Sequence, residues 1–200
     1  MGVCAATLAT LAGLGAAMAL SRFVRRGRSL VVAGLLSPLM IPEIVLGVAM
    51  LTVLSALHIG LGLGTLILGH LVITLPYAAL ILLGAYQTLD VSLEEAAADL
   101  GCTPWQTFRR VTLPLLRPSL LASWLLCFTI SFGDIVMSTF TSGVGSTTLP
   151  LLVYSLLKGG LTPELNALGT LLVCFTFLII FAVGLRQMRR VLTHTPERSS

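Results

Sequence analysis

Residues 65–87 read TLILGHLVITLPYAALILLGAYQ, 23 positions without one charged side chain. At a rise of about 1.5 Å per residue, a helix of this length covers the roughly 30 Å hydrocarbon thickness of a bilayer. The rest of the chain has the same character. Of its 200 residues 56% are hydrophobic and 10% charged, and mean hydropathy is +1.00, whereas about a quarter of residues are charged in an ordinary soluble domain. The sequence therefore specifies an all-α integral membrane protein. This length allows at most about six spans with their loops. It leaves no room for a separate aqueous domain, which excludes a catalytic domain, a nucleotide-binding fold or a DNA-binding module from this chain.

Upstream of 65–87, residues 30–57 carry one charge, Glu43, and two prolines, Pro38 and Pro42, so a kinked span is expected before the glycine-rich turn at Gly60, Gly62 and Gly64. Residues 1–21 are uncharged and are followed by Arg22, Arg25, Arg26 and Arg28. With no basic segment ahead of it, this run reads as a retained helix and not a cleaved signal. Downstream, residues 119–141 form a further span with Asp134 near its end, 149–157 are too short an apolar run to cross, and 165–185 form the last span. The expectation is five transmembrane helices, at about 1–21, 30–57, 65–87, 119–141 and 165–185, in one membrane domain over 1–190 with a polar tail at 191–200. Lysine and arginine concentrate in cytoplasmic loops. Eleven of the twelve basic residues share one side if the N-terminus is outside and the tail inside, leaving Lys158 alone opposite. Topology accounts for these clusters without nucleic acid as a partner.

The loop at 89–118 then faces the cytoplasm and has structure of its own. Ser92 and Glu95 have capping-box spacing, so a helix is expected from Ser92 to a left-handed Gly101. Thr103, Pro104 and Gln106 repeat the signal for a second short helix. That helix puts Trp105, Phe108 and Val111 on one side, turns Arg109 and Arg110 elsewhere, and is expected to stop at Pro114. Aromatics at this spacing point to docking, against a membrane surface or a protein.

Glu95-Ala96-Ala97, three residues, Gly101, nine residues, Val111, one residue and Leu113-Pro114 together resemble the EAA loop of the membrane-spanning subunits of bacterial ABC importers. Valine stands at 111 where that family commonly has isoleucine. The resemblance implies the type I permease fold in the bacterial inner membrane. It also implies that Glu95, Ala96, Ala97, Gly101, Trp105, Phe108, Arg109, Leu113 and Pro114 form a coupling element that sits in a cleft of a cytoplasmic ATPase. Further segments are similar to the spermidine/putrescine branch: Pro42 to Gly47, Ser131 to Asp134, Ser142 to Pro150 and Thr162 to Leu168. The implied partners are an ATPase dimer, a second permease and an extracytoplasmic solute-binding protein. ATP and magnesium belong to the ATPase, and the chain has no GxxxxGK[ST] phosphate loop of its own. The chain departs from the family in two ways. Its members usually have six spans, with one helix and an outside segment before the region matching Met1, and many have two acids in a row where this chain has Gly133-Asp134.

A charge at bilayer depth costs at least about 2.5 kcal/mol, which makes an intramembrane acid a functional candidate. Glu43 and Asp134 are the two. A polyamine, ammonium groups joined by methylenes, needs a few carboxylates spaced along apolar walls, and these acids meet that need. The competing roles are capping or pairing in the helix bundle for Glu43 and an outer-interface position for Asp134. Glu164 reads as a first-turn acid favoured by the helix dipole. His70 has no partner at ligand spacing and reads as a packing or hydrogen-bonding residue, not a metal ligand. Cys4, Cys102, Cys127 and Cys174 read as small core residues. Alternatives are the same architecture for ferric iron or an organophosphonate, an ion-coupled secondary transporter, and a truncated, non-assembling product. A secondary transporter would more often show repeated halves with matching broken helices, and Pro42 and Pro76 are a poor pair. No nucleophile–base pair or metal cluster supports a membrane hydrolase.

Overall fold

The computed structural model describes residues 1–22 and 27–159, together with 167, 169–171 and 174. The expected span at 165–185, apart from those isolated positions, lies outside the described residues, as do Arg25, Arg26, Glu164 and the tail. In chain order the helices are α1 (Gly2–Arg22), α2 (Arg28–Leu36) continued by a 3₁₀ turn (Ser37–Leu39), α3 (Glu43–Ala56), α4 (Leu63–Gln87), α5 (Val91–Asp99), α6 (Pro104–Thr107), a π-helical turn (Phe108–Thr112), α7 (Leu113–Gly133), α8 (Val136–Thr141) and α9 (Leu149–Lys158). No strand occurs among the described residues. The chain divides into two units, Met1–Leu151 and Leu152–Ser200, and helices α1 to α8 all belong to the first.

Among the described residues three helices are long and apolar enough to cross a bilayer: α1, α4 and the continuous stretch Pro104–Gly133. They pack on one another. Along α1 the buried face is mostly small residues, Ala5, Ala6, Ala9, Thr10, Gly13 and Ala17, with Leu14 and Leu20 among them. Lipid tails are as apolar as leucine, so helices in a membrane associate through close packing, for which small side chains are needed. Ala6 and Ala9 meet Ala78 of α4 and Cys127 of α7, and toward the other end Leu14 and Ala17 meet Leu82, Tyr86 and Leu116. Trp124 of α7 donates its indole N–H to Thr7 Oγ1 at 3.0 Å and stacks on Phe128.

Three expected boundaries move. The span at 30–57 is broken and not merely kinked: the segments Arg28–Leu39 and Glu43–Ala56 meet at 99°. Pro42 has extended backbone (φ −53°, ψ 132°) directly before α3, and proline also disfavours helical backbone at the residue before it. The span at 119–141 ends early, at Gly133, because Asp134 is extended and α8 begins a new helix. Its start moves the other way, since Pro114 does not stop the preceding helix. Leu113 N–H bonds back five residues to the Phe108 carbonyl, so the missing donor of Pro114 follows a turn whose bonding has already been widened. The expected spans at 1–21 and 65–87 match α1 and α4, the latter running through Pro76. The short run at 149–157 is a helix of 10 residues.

A Cβ placed on Gly13 would lie 2.9 Å from the Ala78 Cβ and 3.0 Å from α4 backbone atoms, whereas one on Gly15 would meet nothing within 4 Å. Gly13→Val should therefore force α1 away from α4 and cost about 1–3 kcal/mol. Thermal unfolding in detergent should show a clearly lowered midpoint for Gly13→Val and little change for Gly15→Val.

Candidate functional site

The two helix breaks face each other. At the second, the Asp134 carboxylate accepts from Met137 N (3.2 Å), Ser138 N (2.8 Å) and Ser138 Oγ (2.9 Å), which satisfies the free amides at the start of α8. Asp134 is buried, and His70 of α4 is fully so. The imidazole bridges the break, with Nδ1 2.8 Å from Ser131 Oγ on α7 and Nε2 3.0 Å from Ser138 Oγ on α8. Its Nε2 is also 3.4 Å from Asp134 Oδ2. His70 thus takes the hydrogen-bonding role expected of it. Among the described residues no group of His, Cys, Asp and Glu is suited to a metal ion.

Glu43, at the first break, begins α3, and its carboxyl reaches the Asp134 carboxyl and the Met137 backbone. Two acids 91 positions apart therefore meet. Glu43 also lines a cavity of about 190 Å³ with Pro38, Leu46, Ile73 and Tyr77. Of the pair, Asp134 is committed to backbone donors, and Glu43 is the more exposed. The site can offer carboxylate oxygens beside apolar and aromatic walls, an arrangement suited to an ammonium or another organic cation.

The 88–112 segment forms the second region. Its first helix is capped by Asp90, not Ser92: Ser92 N–H donates to Asp90 Oδ1 at 2.9 Å, and α5 starts at Val91. Asp90, in the extended conformation, brings its oxygen to the second helical amide and starts the helix earlier than the Ser92–Glu95 pairing would. Hydrogen bonds from the Ser92 side chain and backbone hold the Asp90 carboxyl below its ordinary range. The far end follows expectation. Gly101 has φ 81°, its N–H bonds to the Ala98 carbonyl at 2.8 Å and Cys102 N–H to that of Ala97 at 3.0 Å, the paired bonds of a Schellman motif. Thr103 and Gln106 exchange the expected capping-box bonds at 2.9 and 3.4 Å.

Of the residues expected to couple, Glu95, Ala96, Gly101, Trp105 and Arg109 are exposed, Trp105 by 67%. Ala97 is buried, and Phe108, Leu113 and Pro114 are half-buried. Phe108 stacks on Trp105 with ring centres 5.6 Å apart and packs against the Leu14–Leu82–Leu116 cluster. One motif thus supplies both an outward face and an anchor. Sequence reasoning missed Glu94. Its Oε2 pairs with Arg22 at the end of α1, and its Oε1 accepts from Thr112 Oγ1 at 2.6 Å. The available signal was an acid beside the motif in a chain whose first span ends in arginine.

The family model described as binding-protein-dependent transport system inner membrane component matches residues 9–191. The chain belongs to this family. It is 40% identical over 179 residues to the putrescine transport system permease protein PotI of Escherichia coli K12, covering 86% of this chain and 64% of that protein. It is 40% identical over 176 residues to the spermidine/putrescine transport system permease protein PotC of Haemophilus influenzae, covering 88% and 68%. The chain thus spans about two thirds of the length of these relatives. A solved structure of inward-facing conformations of the MetNI methionine ABC transporter contains a chain that superposes with a TM-score of 0.66 at 25% identity, covering 95% of this chain and 92% of that one. Membership makes this a multi-pass inner membrane component of a binding-protein-dependent transport system, as the EAA-like spacing led one to expect.

The left-handed Gly101 gives a direct test of the loop. Gly101→Val should cost about 1–2 kcal/mol, while Gly101→Asn, which tolerates that backbone, should cost much less. Hydrogen exchange at the Gly101 and Cys102 amides should accelerate roughly 5- to 30-fold in the valine variant and little in the asparagine variant.

Proposed function

We propose that the chain is the permease subunit of an ABC importer and lines the translocation path for a small cationic solute of the polyamine class, such as spermidine or putrescine. The observation that carries this reading is the meeting of Glu43 and Asp134 at two facing helix breaks beside a cavity. Irregular backbone is tolerated at membrane depth only against protein or a water-filled space, and an acid there is expensive unless it serves a partner. The names of the PotI and PotC relatives agree in solute class. In this reading residues 1–190 are one membrane domain with a cytoplasmic tail and an outside N-terminus. The loop bearing Glu95, Ala96, Ala97, Gly101, Trp105, Phe108, Arg109, Leu113 and Pro114 docks on an ATPase dimer, which holds ATP and magnesium. A second permease completes the path, and an extracytoplasmic binding protein delivers the solute.

A second reading has one observation in its favour: 28% identity over 182 residues to a putative 2-aminoethylphosphonate transport system permease protein, PhnV, of Salmonella typhimurium. That solute carries a phosphonate, which calls for cationic or N–H donors. The acids at the two breaks carry the same sign of charge as the phosphonate and would repel it.

Replacing either acid by its amide keeps size and an acceptor oxygen but removes an attraction of about 4 kcal/mol at 4 Å and an effective dielectric near 20, before desolvation is subtracted. Uptake of putrescine or spermidine should fall at least several-fold in Glu43→Gln and in Asp134→Asn with the assembled complex intact. The larger loss is expected at Glu43, the freer of the two. Wild-type uptake in the double variant would remove both acids from the path. For orientation, impermeant thiol labelling of intact cells on a cysteine-free background should reach Ser146→Cys and not Ser199→Cys. The reverse pattern would invert the topology.

A further inference from the structure

Residues of α1, α4 and the turn leading into α7 gather around the Arg22–Glu94 pair. Arg22 is the last residue of α1, Tyr86 lies one residue before the end of α4, and Thr112 immediately precedes α7. Glu94 Oε2 meets Arg22 Nη2, and Glu94 Oε1 accepts from Thr112 Oγ1 at 2.6 Å. Arg22 Nε in turn donates to the Tyr86 hydroxyl at 2.6 Å, with the guanidinium carbon 5.8 Å from the Tyr86 ring centre. Both carboxylate oxygens are used, and each bond to an ionised group is of the stronger, charge-assisted kind. The helix bearing Glu94 has little else to hold it to the spans, because Ala97 is its only buried residue.

We propose that Glu94 is a positioning residue for energy coupling, fastening the EAA-like loop at once to α1, α4 and α7 so that displacement of the loop is delivered to all three spans together. The inference rests on the permease reading above. The neighbouring Glu95 is exposed and remains available to a partner, so two adjacent acids divide the work: one faces outward and the other ties the loop to its own chain. Glu94 touches no solute in this arrangement. Its removal should leave solute recognition intact and loosen the link between ATP hydrolysis and transport.

The same geometry supplies a rescue. In Arg22→Glu/Glu94→Arg the carboxylate at position 22 can accept from the Tyr86 hydroxyl, and the guanidinium at 94 can donate to both that carboxylate and Thr112 Oγ1.

The test uses the full transporter, permease with its ATPase and binding protein, in proteoliposomes with putrescine as solute. It measures solute moved per ATP hydrolysed, the putrescine concentration for half-maximal uptake, and the amount of assembled complex. Glu94→Ala and Arg22→Ala should each lower solute moved per ATP by about five-fold, the factor that a partly exposed ion pair carries at its upper end, with half-maximal concentration unchanged. The charge-swapped double variant should recover most of the loss. Glu94→Ala and Arg22→Ala complexes that couple as wild type would overturn the proposal. So would losses explained wholly by reduced assembly, or a double variant no better than the worse single one. Wild-type complex that moves no solute on ATP would instead overturn the permease reading, and this inference with it. Coupling in the wild type that is indifferent to Glu94 would count against the inference alone.

Discussion

A helix interrupted at membrane depth leaves amide and carbonyl groups with no water to take them up, so the protein must supply partners for each break. Among the described residues the demand arises twice, before Glu43 and after Gly133, and much of the central architecture answers it. Asp134 takes the amides at the start of α8. His70, fully buried on the unbroken α4, holds serines on both sides of that break. The Thr65 hydroxyl on the same helix closes the end of α8 by donating to the Thr141 carbonyl at 2.8 Å. An unbroken helix thus supports a broken one, and the carboxylate that caps the break is thereby fixed where Glu43 can meet it.

Packing makes the unbroken helices reliable supports. The alanine and glycine face of α1 lets its backbone come close to α4, which dispersion rewards even where lipid offers no hydrophobic driving force. At one end of this stack the buried side chains are Ala6, Ala9 and Ala78; toward the other they are Leu14, Leu82, Tyr86 and Leu116. The bulkier end is also where the Arg22–Glu94–Thr112 cluster closes the bundle.

How much of this could be read from sequence depended on how local each cause is. The left-handed Gly101 and the Thr103–Gln106 capping box rest on residues within one or two turns of each other, the span at 65–87 rests on one uninterrupted uncharged run, and all three were legible. The Ser92 cap was misread because Asp90, two residues earlier, is an equally good acceptor and spacing alone cannot choose. Pro114 was misread because a stop signal presumes ordinary helical bonding, and the widened turn at 108–112 changes it. Glu43 and Asp134 were recognised as costly acids one at a time. That they meet follows from a bend of 99° and the close packing of α3 on α8, and neither is written in any short window. Glu94 escaped notice for the same reason, since its partners lie 72 and 18 residues away.

The correction at Pro114 also changes how the two candidate regions are joined. A helix that stopped there would put a hinge between the exposed loop and the next span, and a push on Trp105 would be lost in rotation about it. Instead Pro104–Gly133 is one helix of 30 residues, about 45 Å long at 1.5 Å per residue. Trp105 stands at one end, and Asp134 follows directly at the other. The widened turn at 108–112, Pro114 and Pro118 are places where such a helix can bend, yet its backbone continues through them from the loop to the break. At its far end Gly133 and the extended Asp134 close this segment at the residue that faces Glu43. One continuous element therefore joins the exposed loop to the two acids, and it ends at the break that frees backbone groups beside them.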